Sequence, residues 1–186
     1  MKREEKNQLT RRRIMDSALA EFSKQGYGAS SVNAICAAQD ISKGIIYHYF
    51  AAKDDLFLAC VEECFVKLTE YLKQSVSWGS RNPRNQLEEY FSARSSFFKE
   101  NPVYQRIFCE ATITPPLHLR SEIQNIRSSF DSFNVQTLEK ILEPISLRPQ
   151  ITKEEVIETF RQFQDFINAR YAFADLSEEE FKNLEE

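Results

Sequence analysis

The residues best suited to chemistry sit in one short run, Lys43-Gly44-Ile45-Ile46-Tyr47-His48-Tyr49-Phe50. Read as a helix turning ~100° per residue with Ile46 inward, the run puts Tyr49 and Phe50 on the inner side and Gly44 and His48 opposite, with Ile45 and Tyr47 flanking. That outer face carries groups that fit the major groove of duplex DNA. The glycine admits close backbone approach, Ile45 offers a surface for a thymine methyl, and Lys43 reaches guanine acceptors or a phosphate. Tyr47 and His48 supply donors for phosphate oxygens, as do the Lys53 ammonium and the free amides at the start of its helix. Ser31 and Asn33, on the preceding element, would meet the backbone or a neighbouring base edge. The competing reading is an amphipathic packing helix whose aromatics all belong to the core. For Tyr49 and Phe50 that reading holds, and for the outer residues spacing alone leaves both open.

Two short helices around a tight turn would position these groups. The spacing predicts one helix starting after Ser30 or Ser31, burying Val32, Ile35 and Cys36 and ending near Ala38. Gln39-Asp40-Ile41 forms the turn, and Ser42 caps the helix that carries Lys43 to Tyr49. Ahead of them a helix from about Thr10 to Gln25 places Ile14, Ala18 and Phe22 on one stripe. It stops at Gly26 in a left-handed cap that sets Tyr27 against Phe22. Behind them a longer helix runs from Lys53 toward Trp78, with Asp54 and Asp55 favoured by the dipole of its first turn.

Arg81-Asn82-Pro83, Asn101-Pro102 and Thr114-Pro115-Pro116 divide the rest, because proline removes an amide and restricts the residue before it. Helices are predicted at about 84–99, 102–113, 117–143 and 153–174, the last opened by the capping box Thr152-Lys153-Glu154-Glu155. A second box, Ser177-Glu178-Glu179-Glu180, opens a helix with Phe181 and Leu184 on its stripe. It runs out at Glu186 after two or three turns, which leads us to expect the natural protein to continue beyond this chain.

With only 4 glycines and 6 prolines in 186 residues, a hairpin-rich fold is excluded and an all-α class follows. No run approaches the roughly 18 apolar residues of a membrane span, and MKREEKNQLTRRR leads into no signal-peptide core, so a cytoplasmic protein that touches no membrane is expected. Residues 1–53 hold nine Lys and Arg against five acids, whereas the remainder carries 15 against 23. A basic front on an acidic body suits a molecule that presents one end to a polyanion. Two histidines and scattered cysteines supply no nucleophile with its base, and no Gly-rich phosphate loop is present, so neither an enzyme nor a cofactor is expected. Cys60 and Cys64, one helical turn apart, leave open a redox or metal-sensing regulator, although as small buried residues they need no such role and no third metal ligand accompanies them.

Ser31-Val32-Asn33-Ala34-Ile35-Cys36, then Ile41 to Phe50, then Ala52-Lys53-Asp54-Asp55-Leu56 resemble the signature of the TetR family over about residues 10–58. The resemblance implies a three-helix helix-turn-helix DNA-binding domain at 1–52 and a helical ligand-binding and dimerisation domain at 53–186. It implies DNA contacts at Ser31, Asn33, Ser42, Lys43, Gly44, Ile45, Tyr47, His48 and Lys53, with Arg11, Arg12 and Arg13 as further electrostatic contacts or a solvated basic end. The function implied is a repressor that binds a palindromic operator as a homodimer and is released by a small apolar or aromatic effector. An interaction module that has lost DNA binding is the alternative, and the retained Lys43, Gly44, Tyr47, His48 and Lys53 speak against it.

Three departures from the family pattern bear on detail. Asp40 stands at a turn position often held by glycine, Ala34 stands where an acid is common before the central Ile35 of the second helix, and Ile45 replaces a common hydroxyl residue, which shifts base preference toward thymine methyls. In the family the effector cavity lies among the helices after the linker helix, which places Cys64, Phe91, Tyr104, Phe108 and His118 as lining residues that would each serve equally as core. The last two helices would pair with their twofold mates through Phe160, Phe163, Ile167 and Tyr171.

Overall fold

The computed structural model describes residues 3–76 and 82–173, and for Ile167 and residues 169–173 the backbone alone. Trp78 and the expected helix from Ser177 lie outside the described residues. The element order is α1 (Arg3–Ala29), α2 (Val32–Ala38), α3 (Lys43–Tyr49), α4 (Lys53–Ser75), α5 (Pro83–Glu100) and α6 (Pro102–Thr112), then a 3-10 turn (Leu117–Leu119), α7 (Arg120–Leu142) and α8 (Lys153–Phe173). The all-α architecture is as expected, with no strand among the described residues. None of the described helices is long and apolar enough to cross a membrane.

α1 corrects the sequence expectation at both ends. It begins at Arg3 rather than Thr10, with Glu4 and Glu5 favoured in its first turn. The extra turns carry no apolar stripe of their own, and the Tyr49 hydroxyl ties them to α3 through a hydrogen bond to Asn7. Gly26 does interrupt the helix, but at φ 74° and ψ 169°, a positive-φ extended conformation rather than a left-handed helical cap. The chain then resumes a further turn to Ala29, and Ser30 donates its amide to the Gly26 carbonyl at 3.2 Å. Tyr27 nonetheless stacks on Phe22 as expected, at 6.5 Å between ring centroids.

Local capping explains the next two elements. Ser31 accepts from the Ala34 amide at 3.1 Å and Ser42 from the Ile45 amide at 3.3 Å. Between them Asp40 takes φ 50°, the one positive-φ residue other than glycine among those described. An aspartate tolerates that region better than most side chains do. α4 starts with the Asp55 carboxylate accepting from the Ala52 amide at 3.0 Å, and Pro83 and Pro102 each open a helix where no amide is needed. The expected 117–143 helix is split, because Pro116 leads into a 3-10 turn before α7 proper. At α8 the capping box forms, Thr152 and Glu155 bonding reciprocally at 2.8 and 3.2 Å.

One continuous core joins both halves of the chain. Near the front, Phe22, Tyr27 and Phe57 pack ring against ring at 4.9 to 6.5 Å. Deeper in the body Phe65, Phe98, Phe108 and Phe130 form a second aromatic cluster.

Candidate nucleic-acid interface

α3 is held from beneath. Ile46 is 1% and Phe50 6% exposed, and burying each is worth roughly 1.5–3 kcal/mol, ample to seat a seven-residue helix that would not persist alone. Behind it the buried Ser17 hydroxyl of α1 donates to the Ile35 carbonyl of α2 at 2.6 Å, and Arg13 donates to the Gln39 carbonyl at 3.0 Å. Neither anchor has a local sequence signal, since both join residues distant in the chain.

With Ile46 inward, Lys43, Gly44, Ile45, Tyr47 and His48 all face solvent, and Ser31, Asn33 and Ser42 are exposed beside them. Ile45 and Tyr47 leave 43% and 46% of their surface open, a large exposure for apolar side chains on so short a helix. A Cβ added to Gly44 would meet nothing within 4 Å. Nothing packed against α3 demands a glycine there. Tyr49 is half-buried, its ring edge-on to His48 at 5.2 Å.

Lys53 departs from the picture of an outward phosphate donor. Its ammonium donates to the carbonyls of Tyr27 at 2.8 Å and Ser30 at 3.2 Å and sits 4.1 Å from the centre of the Tyr27 ring. The lysine therefore caps the turn that links α1 to α2. Of the three arginines, Arg12 is drawn to Glu63 of α4 at 2.6 Å and to Asp16, and Arg13 holds the turn. Arg11 lies over the Phe50 ring.

The five residues expected around an effector cavity do not line one, although the Cys64 thiol does meet the Tyr104 carbonyl at 3.7 Å. Cys64, Tyr104 and Phe108 are packed core, and the Tyr104 hydroxyl points to Glu63 at 2.5 Å. Phe91 instead lines an open apolar groove of about 890 Å³ with Leu87, Ile145 and Phe163. His118 is exposed and far from them, on the Tyr27 side of the molecule, because the 3-10 turn after Pro116 swings it there. On α8, Phe160 is half-buried against Tyr90 and Phe91, while Phe163 is 46% exposed with Phe166 open beside it at 57%. The side chains of Ile167 and Tyr171 lie outside the described residues. Burial pushes the Cys60 and Cys64 thiols far above their ordinary pKa. That disfavours the thiolate that oxidation or metal binding requires, and the redox reading gains nothing from this geometry.

What the sequence did not disclose is a polar seam between the front helices and the body. The Tyr27 amide donates to both carboxylate oxygens of Glu110 on α6 at 3.0 Å, and Arg106, one turn earlier on α6, donates to the Lys24 carbonyl at 2.8 Å. The Tyr27 hydroxyl donates to Asp54 at 2.5 Å, with His118 also 3.2 Å from that carboxylate. Burial and the Asp54 bond push the Tyr27 pKa up to about 12. Burial raises Glu110, against the pull of the Tyr27 amide and neighbouring cations. α6 is thus bonded directly to the end of α1.

Residues 14–60 match the family described as bacterial regulatory proteins, tetR family. The transcriptional repressor KstR of Mycobacterium tuberculosis is 25% identical over 122 residues, 66% of this chain and 55% of that protein. UidR of Escherichia coli K12, a transcriptional regulator, is 41% identical over 54 residues, 29% of this chain and 28% of that one. This chain thus spans little more than half of KstR. FadR of Bacillus subtilis, solved with stearoyl-CoA, has the same fold at TM-score 0.73 and 17% identity, covering 89% of this chain and 88% of its own.

Proposed function

This chain belongs to the TetR family of bacterial transcriptional regulators, and on that premise we propose that it represses transcription as a homodimer on a palindromic operator and is released by a small effector. The observation that carries this reading is the outer face of α3, where Lys43, Gly44, Ile45, Tyr47 and His48 stand in solvent over a buried Ile46. A packing helix would have spent those aromatics on the core. In the division we propose, residues 1–52 bind DNA, with Ser31, Asn33 and Ser42 beside the α3 face, and residues 53–186 take the effector and the partner subunit. Phe160, Phe163, Ile167 and Tyr171 of α8 are the interface residues of this reading. Lys53 contributes by shaping the α1–α2 turn, with one ammonium proton left for a phosphate.

Repression is supported by the KstR resemblance, and an effector site in the body by the stearoyl-CoA in the FadR neighbour. Two recognition helices on one DNA face must stand ~34–36 Å apart to enter successive major grooves. An effector that binds better to a form with another spacing lowers DNA affinity by its preference for that form. The test is fluorescence anisotropy with a labelled duplex from the gene's own upstream region, scrambled duplex as competitor and salt as variable. Selective binding that falls steeply with salt, and at least a tenfold loss in Tyr47→Ala with an unchanged melting temperature, is expected. Unchanged affinity in Tyr47→Ala would remove α3 as the recognition helix.

A further inference from the structure

α7 and α8 part over a cavity of about 300 Å³ whose inner wall is polar where two packed helices would bury apolar side chains. Asn134 of α7 and Gln164 of α8 form that wall, 5% and 8% exposed. Both bond to the hydroxyl of Tyr90, fully buried on α5, which donates to Asn134 Oδ1 at 2.7 Å and accepts from Gln164 Nε2 at 2.9 Å. A hydroxyl carries one proton. It gives that proton to one amide and must take one from the other, so each amide keeps its opposite end unused. Exchanging the two roles, with Asn134 donating and Gln164 accepting, swaps the ends but not the outcome. The charge of Arg94 lies near the same hydroxyl, but a guanidinium only donates and leaves that choice unaltered. The wall therefore presents one N–H donor and one carbonyl acceptor side by side, and neither has a further partner among the described residues. An amide group kept from water without a partner is costly, and the little exposure these two retain is on the cavity they line.

The rest of the lining sets the charge and shape of what fits. Arg127 is bonded to Asp131 at 3.1 Å, and Arg161 and Asp165 add one charge of each sign, so the cavity calls for no net charge. Val135 and the half-buried Phe160 supply apolar surface. We propose that this cavity binds a neutral cyclic amide, a lactam or imide built into a flat aromatic ring system, whose carbonyl accepts from one wall amide while its N–H donates to the other and its ring lies against Phe160. An open-chain secondary amide is trans and turns its donor and acceptor to opposite sides. A ring holds both on one edge, and that edge matches a wall of one donor beside one acceptor. A carboxylate offers acceptors alone and an ammonium donors alone, so each would leave one wall group unpaired. A cyclic amide that makes both bonds replaces those the wall makes to solvent, and burial of its ring against Phe160 adds to the affinity.

The test is calorimetric titration of the full chain with 2-quinolinone, a bicyclic lactam, with N-methyl-2-quinolinone, which keeps the carbonyl and loses the donor, and with quinoline, which has a ring acceptor alone. 2-Quinolinone is expected to bind, and both relatives to bind at least tenfold more weakly, because each leaves a wall group unpaired. Asn134→Leu, close to the parent in side-chain volume, should lose at least tenfold in 2-quinolinone affinity while its melting curve shows that it folds. No heat of binding at millimolar 2-quinolinone, equal affinity for either relative, or a folded Asn134→Leu with undiminished affinity would each overturn the proposal. Should Asn134→Leu not fold, the three ligands on the parent protein decide alone. Binding at this cavity needs no DNA. Its failure would leave the operator reading standing, and loss of operator binding would leave the cavity's ligand preference intact.

Discussion

Lys43 and Lys53 carry the same charge ten residues apart, and the fold uses them differently. Lys43 is exposed at the start of α3, whereas the Lys53 ammonium is committed to two carbonyls and an aromatic face. Lys43→Ala should leave stability within about 0.5 kcal/mol and reduce the slope of log affinity against log salt by about 1, the signature of one lost phosphate contact. Lys53→Ala should instead cost about 1–2 kcal/mol in urea unfolding, because it exposes the α1–α2 turn carbonyls. A changed salt slope with no stability loss would return Lys53 to the DNA surface. Glu63 supplies a pH dependence. Burial alone would raise its pKa, but the hydrogen bonds from Arg12 and Tyr104 outweigh it and hold it below the ordinary value. Its stabilisation is therefore present above the unfolded pKa and is lost as pH falls through the folded one. Glu63→Gln should be about 1–2 kcal/mol less stable than the parent at neutral pH. The gap should narrow as pH falls through and below the ordinary carboxylate range, as urea midpoints at neutral and acid pH would reveal.

Caps and turns were legible wherever their chemistry is local. Ser31, Ser42 and the Thr152–Glu155 box bond within three residues of themselves, and α2, α3 and α8 begin where those residues predict. The start of α1 was not legible, because the turns before Thr10 lack a stripe and are tied down by Tyr49, 42 residues away. Gly26 was readable as a break but not as a conformation, since its ψ of 169° depends on how Tyr27 meets α6. Gly26→Ala brings this home. A Cβ there would stand 3.2 Å from Arg106 Nη2 at a φ of 74°, so the substitution should cost about 1–3 kcal/mol. Urea unfolding reads this directly, and a neutral result would show that the kink relaxes. The outer face of α3 was legible as a direction, because helical period separates Ile46 from its neighbours, but that Ile45, Tyr47 and His48 stay in solvent rather than join the core is seen only in the fold. The lining expected for an effector was not legible, since aromatics at helical spacing give no sign of whether they border a cavity or fill the core, and Cys64, Tyr104 and Phe108 fill it.

As a whole molecule the proposed repressor needs two copies, and α8 offers the surface. Phe163 and Phe166 are open in the single chain, beside the groove of Leu87, Phe91 and Ile145. Phe163→Glu should yield a monomer by light scattering and, by separating the paired recognition helices, reduce operator affinity at least a hundredfold. A dimer that persists would move the interface elsewhere. The seam at Tyr27 also governs how such proteins can be rebuilt. Regulators of this architecture invite the exchange of heads, joining the operator preference of one to the inducer of another at the start of α4. Here a cut before Lys53 would strip the lysine from the turn it caps. A cut after it would still leave Tyr27 facing a foreign residue where Glu110 stood, and Lys24 without Arg106. A working hybrid must therefore carry the α6 residues of the head's parent, making the transferable unit a set of contacts scattered from Lys24 to Glu110 rather than a segment of chain.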